Sequence, residues 1–233
     1  MDRLFKISLA SLALLLQAHF AYADSVTRTV GGASFNFVPP EGQCVLEDDN
    51  AQDARFISTL RALYQGAHNT LIVATMECNR RARLRGGDTG KVLDYAAYYT
   101  PDPFISSTVP GETKSVRKDL CTEMRKQGQA TLDGVKDIVA AKAKELRANI
   151  AVTSTNYIGV LDEDDHGCYA ALLVGVKGAG NETVLMSSTV TATVIHSKPL
   201  FLAIYSEYKG PETTQAGVHA AKDTTVQLDS LNP

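Results

Sequence analysis

Between Ala151 and Tyr208 the chain alternates every second residue and reverses through short links. Four runs carry the pattern: AVTSTNYIGVL, CYAALLVGVK, TVLMSSTVTATVIH and LFLAIYSEY. The links between them are DEDDHG, GAGNE and HSKP. A parallel crossover needs a dozen or more residues, so links this short join only antiparallel neighbours. The spacing predicts a four-stranded antiparallel meander. In the third run Val184, Met186, Val190, Ala192 and Val194 share one face, with Ser187, Thr189, Thr191 and Thr193 on the other. An apolar sheet face must be covered. The expected class is α+β: an antiparallel sheet with helices packed on its apolar face.

The covering helices are legible upstream and downstream. Asn50 is placed to cap a helix through Tyr64, with Phe56, Leu60 and Leu63 or Tyr64 on one face and Gly66 as the stop. Residues 115–149 step by three and four through Leu132, Val135, Val139, Ala143, Leu146 and Ile150. Gly128 and Gly134 weaken that stretch, which reads as two helices or a kinked one. A last helix covers residues 211–228, with Val218, Ala221, Thr225 and Leu228 on one side. Residues 34–38, SFNFV, form a short edge strand that ends at Pro39 and Pro40. TLIVATMEC (residues 70–78) is a buried strand, and DYAAYY fits either strand or helix. No flexible linker or repeat interrupts this order, so residues 24–233 are expected to form a single domain.

The first residues, MDRLFKISLASLALLLQAHFAYADS, have the layout of a secretory signal. Arg3 and Lys6 supply the charged start, residues 7–16 the apolar run, and Ala21-Tyr22-Ala23 a small-x-small cleavage site. The apolar run is shorter than the about 20 residues that span a bilayer. Residues 1–23 are therefore expected to be removed, with no membrane span in the mature chain. Losing Asp2, Arg3 and Lys6 takes the formal charge from −3 to −4. That balance gives no case for nucleic-acid binding.

All four cysteines, Cys44, Cys78, Cys121 and Cys168, lie in the mature region. An even count in an exported chain points to disulfides, and no C-x-x-C suggests redox catalysis or a zinc ribbon. Three pairings are possible. Cys78 ends a buried strand, and Cys44 follows a Pro-Pro-Glu-Gly bend that can return toward it. Cys168 lies on the apolar face of the meander, and Cys121 lies beside Leu120 and Met124 on the helix that should dock there. The reading favours Cys44–Cys78 with Cys121–Cys168 and leaves the other two pairings open.

The stretch LDEDDHGCY (residues 161–169) crowds acids, a histidine, a glycine and a cysteine. A calcium loop wants a fifth-position Asp or Asn and a twelfth-position Glu, where His166 and Leu173 stand. A zinc site would need more His or Cys nearby. The stretch reads as a solvated acidic turn, with Gly167 supplying a positive φ. GGDTGK (residues 86–91) fails as a phosphate loop, because Arg85 replaces the first glycine and Val92 the Ser or Thr. Gly178 and Gly180 lack a third glycine. No G-x-S-x-G or H-E-x-x-H is present. No metal, cofactor or catalytic residue is expected. RRARLRGGDTGK is read as an exposed basic loop. Its Arg80, Arg81, Arg83 and Arg85 are candidates for an anionic partner, since guanidinium binds carboxylate and phosphate as a planar fork. Asn181-Glu182-Thr183 fits a glycosylation acceptor.

FVPPEGQC (residues 37–44), NTLIVATMEC (69–78) and DLCTEMRKQG (119–128), with the ending KPLFLAIYSEYKG, resemble a family of exported bacterial proteins. The resemblance covers about the first half of the mature chain plus that ending, and it implies no catalytic residue to carry over. The strand–helix–sheet–helix order is also similar to the Mog1/PsbP-like fold. That likeness implies an antiparallel sheet flanked by helices and a protein-binding role. The expected function is thus a periplasmic or secreted, non-catalytic module that binds an envelope or extracellular protein. The alternatives are a small-ligand or lipid-binding protein, and a hydrolase whose Ser, His and Asp come from distant positions. N-terminal sequencing of the exported protein should begin at Asp24; an intact Met1 in a cytoplasmic fraction would refute the signal.

Overall fold

The period-two half folds as its links demand. In the computed structural model, which describes residues 25–88, 90, 92–145, 151–177 and 182–233, four strands pair antiparallel in chain order. They are β6 (Ala151–Glu163), β7 (Cys168–Lys177), β8 (Thr183–Ile195) and β9 (Lys198–Glu207). Upstream, β3 (Gln43–Val45), β4 (Asn69–Glu77) and β5 (Tyr95–Pro101) pair in the same sense. The two groups join where β5 meets β9, giving one sheet in the order β3-β4-β5-β9-β8-β7-β6. β1 (Val26–Val30) and β2 (Ala33–Phe37) form a separate hairpin. The expected signal, the Gly178 and Gly180 pair, Asn181, and Leu146 and Ile150 of the helical stripe lie outside the described residues.

Five helical segments complete the described chain: α1 (Ala51–Gly66), α2 (Cys78–Arg85), α3 (Pro103–Ser106), α4 (Thr113–Glu145) and α5 (Pro211–Ser230). Asn50 caps α1 as its position implies, Oδ1 accepting from the N–H groups of Gln52 and Asp53 at 3.1 and 3.2 Å. The ambiguous DYAAYY is strand. The stretch expected as two helices or a kinked one is a single α4, continuous past Gly128 and Gly134.

Helices cover both faces of the sheet, not the apolar face alone. α1 packs on β4, and α4 lies across β6, β7 and β8. Beneath them sit Leu71, Ala74 and Ala97 at one end and Cys121, Cys168 and Ala192 at the other. On the opposite face α5 and the β1–β2 hairpin enclose Phe35, Phe37, Tyr98, Leu202, Ile204 and Leu228. Ser187, Thr189, Thr191 and Thr193, expected on the uncovered side, are all buried there. Their small size is the reason. Gly217 lets α5 approach so closely that an added Cβ would lie 2.5 Å from Thr189 Oγ1, and the Ser187 and Thr214 hydroxyls bond each other at 3.0 Å. A row that reads as polar in sequence is a close-packing row in space.

The structure pairs Cys44 with Cys78 and Cys121 with Cys168, the combination the sequence favours. The first ties β3 to the start of α2. The second ties α4 to β7 inside the core. In the chain-entropy view each loop closure is worth about 4 kcal/mol.

Gly128 has a packing role. A Cβ there would overlap the ring of Tyr157 on β6, whose hydroxyl donates to the Met124 carbonyl at 2.9 Å. Helix propensity alone favours alanine by about 1 kcal/mol; overpacking costs about 1–3 kcal/mol. Gly128→Ala should therefore be neutral to destabilising by about 2 kcal/mol in urea unfolding. A gain of about 1 kcal/mol would show that the ring contact does not matter.

Candidate functional site

β6 runs on to Glu163, so the acidic turn is only residues 164–167. Asp164 shapes it. Its N–H donates to the Gly167 carbonyl at 3.0 Å, and its Oδ1 accepts from the N–H groups of His166 and Gly167 and from the Tyr169 hydroxyl at 2.9–3.0 Å. Gly167 does not have the positive φ expected of it. Glycine is needed there because an added Cβ would lie 3.0 Å from Thr191 Cγ2 and 3.2 Å from the Ala192 carbonyl oxygen of β8.

The turn is also not simply solvated, because α4 and α5 converge on it. Arg117, in the second turn of α4 and 8% exposed, donates to the carbonyls of Asp165 and Val194 and to Asp229 Oδ1 of α5 at 2.7 Å. Asp229 Oδ2 meets His166 Nδ1 at 2.8 Å. A carboxylate oxygen accepts, so Nδ1 is the donor. Lys222 of α5 places its ammonium 2.7 Å from Asp162 and 3.6 Å from Asp164, above the Tyr169 ring. Lys114 reaches Asp165 at 2.7 Å, and Arg125 reaches Glu163 at the same distance. The hydrogen bond from Lys222 holds Asp162 below the usual carboxylate range, and that from Lys114 does the same to Asp165. A cleft of about 310 Å³ opens between the start of α4 and the turn, lined by Lys114, Arg117, Lys118, Glu163, Asp164, Asp165 and Gly167.

This geometry limits what the junction does chemically. An ammonium already stands between Asp162 and Asp164, where a bound cation would have to be. Asp229 and His166 reproduce two members of a Ser–His–Asp line. Among the described residues, no Ser, Thr or Cys side chain bonds the second ring nitrogen of His166. The groups answer one another, and the arrangement holds three elements together.

The arginine run is corrected in both conformation and exposure. Residues 78–85 form α2 and not a loop, capped by the Glu77 carboxylate on the N–H groups of Asn79 and Arg80 at 3.1 and 2.7 Å. Arg80 is buried and bonds Asp88 and the Gly90 carbonyl. Arg81 donates to the Val45 carbonyl at 2.6 Å. Arg85 joins the buried Asp53 carboxylate at 2.5 Å and Glu47 at 2.7 Å, and the Asp53 hydrogen bond, then that of Glu47, holds its guanidinium firmly charged. Arg83 is the outward member, with its side chain 59% exposed and 3.8 Å from Asp88. Long stems and forked heads let arginine reach carboxylates on other elements, which residue spacing does not reveal.

One feature escaped the sequence reading. Phe56, Tyr64, Tyr95, Tyr99, Phe201 and Tyr205 form a continuous half-buried stripe on the α1–α4 side of β5 and β9. Tyr95 stacks on Tyr205 with centroids 4.4 Å apart, and the Tyr64 and Tyr205 hydroxyls meet at 3.2 Å. Burial raises the pKa of all four tyrosines. The signal was present: Tyr95 with Tyr99, and Phe201 with Tyr205, are each four apart on a strand and so share a face.

Fold and site together define a disulfide-stapled, helix-covered antiparallel α+β protein. No protein-family model matches the chain, and no curated protein matches it. Among solved structures it is similar to the solution structure of cyanobacterial PsbP (CyanoP) from Synechocystis sp. PCC 6803. That likeness has 11% identity and a TM-score of 0.37, over 91% of this chain and 94% of that one. A score that low supports no argument about function.

Removing one partner of a buried charge leaves the other uncompensated. Asp229→Ala should cost about 3 kcal/mol in chemical unfolding, whereas Lys114→Ala, whose pair with Asp165 is exposed at both ends, should leave the unfolding midpoint nearly unchanged. Equal effects would place Arg117 outside the load path. Asp162 and Asp165 ionise more readily folded than unfolded, so their contribution is full above the ordinary carboxylate range and fades as pH falls through their depressed values.

Proposed function

We propose that the protein is an exported, periplasmic or secreted module that binds a protein partner without catalysis. The observation that carries this reading is the outer strand β6. Its register slips between Tyr157 and Gly159 and again between Val160 and Asp162. The extra residues at the slips, Ile158 and Leu161, are 43% and 46% exposed. Apolar side chains of that size, turned outward on a sheet edge, suit a protein contact. Two disulfides suit an oxidising compartment. The charged groups nearby are engaged with one another, which fits a rigid scaffold better than a reacting centre. Arg80, Arg81 and Arg85 are similarly occupied, so an anionic partner would find mainly Arg83.

A second reading, a small apolar ligand between sheet and helices, is favoured by the aromatic stripe of Tyr64, Tyr95, Tyr99, Phe201 and Tyr205. The two readings separate experimentally. The mature chain is used as bait on an envelope extract, beside an Ile158→Glu/Leu161→Glu variant checked for unchanged thermal unfolding. Partner binding through β6 is expected to retain a discrete protein that the variant captures at least about tenfold less, roughly 1.4 kcal/mol. Equal capture by both forms would overturn the β6 surface. Saturable quenching of tyrosine fluorescence by an apolar probe, with no protein captured, would favour the ligand.

A further inference from the structure

We propose that Cys44–Cys78 is an exchangeable disulfide that gates the outer edge of β4, while Cys121–Cys168 is a fixed staple. This does not depend on the partner-binding reading. Exchange requires a thiolate to approach a disulfide sulfur, so access decides which bond reacts. Cys44 and Cys78 are half-buried, one on the outermost strand β3 and the other opening α2. Cys121 and Cys168 are 1% and 0% exposed, enclosed by Leu120, Met124, Val160 and Phe201. The helix start would favour a Cys78 thiolate, but the capping Glu77 carboxylate opposes it, so access and not thiolate stabilisation carries the inference.

What the exposed bond holds is small. β3 is three residues long and pairs Gln43, Cys44 and Val45 with Glu77, Met76 and Thr75. Around it are the Thr75 hydroxyl on Gln43 Oε1 at 2.5 Å, Cys78 N–H on the Gly42 carbonyl at 3.0 Å, and Arg81 on the Val45 carbonyl. A three-residue edge strand is marginal once its covalent tie is cut. Its departure would bare the β4 edge between Ala74, whose carbonyl accepts from the Leu46 N–H at 2.9 Å, and Cys78, whose N–H donates to the Gly42 carbonyl.

The chemistry is a two-electron exchange with a dithiol. One thiolate of the dithiol attacks a sulfur of Cys44–Cys78, forming a mixed disulfide and expelling the other cysteine as thiolate, which takes a proton. The second thiol of the dithiol, losing its proton, attacks the mixed disulfide and releases the remaining cysteine. Cys44 and Cys78 end reduced as two thiols, and the dithiol ends oxidised as a disulfide.

The oxidised full-length mature protein is treated with dithiothreitol under native conditions, quenched with an alkylating label at intervals, and mapped by mass spectrometry. Cys44 and Cys78 should label together, at least about 100-fold faster than Cys121 and Cys168, whose exposure needs global opening. In the same state, amide exchange at Leu46 and Cys78, whose N–H groups bond across this edge, should rise at least about tenfold while β5 and β9 stay unchanged. Equal labelling rates, or prior labelling of Cys121 and Cys168, would overturn the proposal. Labelling of Cys44 and Cys78 with no change in amide exchange would overturn the gate. A Cys44→Ser/Cys78→Ser variant should show the same exchange without reductant; if it fails to fold, the wild-type measurements decide.

Discussion

The pairing of β5 with β9 makes this one sheet. Tyr95 to Tyr99 lie against Phe201 to Tyr205, about a hundred residues away in the chain. Without that contact the N-terminal strands and the C-terminal meander would each expose an edge. With it, β5 and β9 become central strands, and the small residues Ala96, Ala97 and Ala203 are buried between layers. The same register brings the four-apart aromatics of both strands into one stripe. The price is kinetic, since such distant pairing closes a long loop before it gains contacts.

Both sheet ends are held by charge as well as by sulfur. At one end Arg85 meets the buried Asp53 carboxylate; at the other Arg117 meets Asp229 and two carbonyls. Desolvating these guanidiniums is costly, and good geometry recovers that cost without a large surplus. Their contribution lies mainly in specifying which elements dock, because a misplaced helix would leave a buried charge alone. The exposed Lys114 pair with Asp165 has no such leverage. Each disulfide lies close to one of these ion pairs. Cys121 is four residues beyond Arg117 on α4, and Cys78 opens the helix that carries Arg85.

The outer strands show opposite solutions to the edge problem. β3 is short and covalently tied. β6 is long but broken by bulges, and Gln129 of α4 accepts the Tyr157 N–H at 2.9 Å. Bulges discourage strand addition along β6 while turning Ile158 and Leu161 outward. A contact there would therefore be made by side chains, whereas β3 is the place where backbone could become available.

Residue period and link length were enough to determine the meander, because a strand alternates every two residues and a short link cannot cross over. Asn50 announced α1 by a hydrogen bond that is local in sequence. The favoured disulfide pairing also followed from local position, since Cys168 and Cys121 lay on apolar faces that should dock and Cys44 followed a bend able to return it toward Cys78. What the sequence left undecided depended on distance in the chain. Ser187, Thr189 and Thr191 looked like a wet face until Gly217 admitted α5 against them. Arg80 and Arg85 looked like free charges until Asp88, Asp53 and Glu47 met them. The turn at residues 164–167 looked like a solvated loop until α4 and α5 brought Arg117, Lys222 and Asp229. A side chain's burial and partners belong to elements joined by the β5–β9 pairing, and no local pattern encodes that contact; only the tertiary structure decides it.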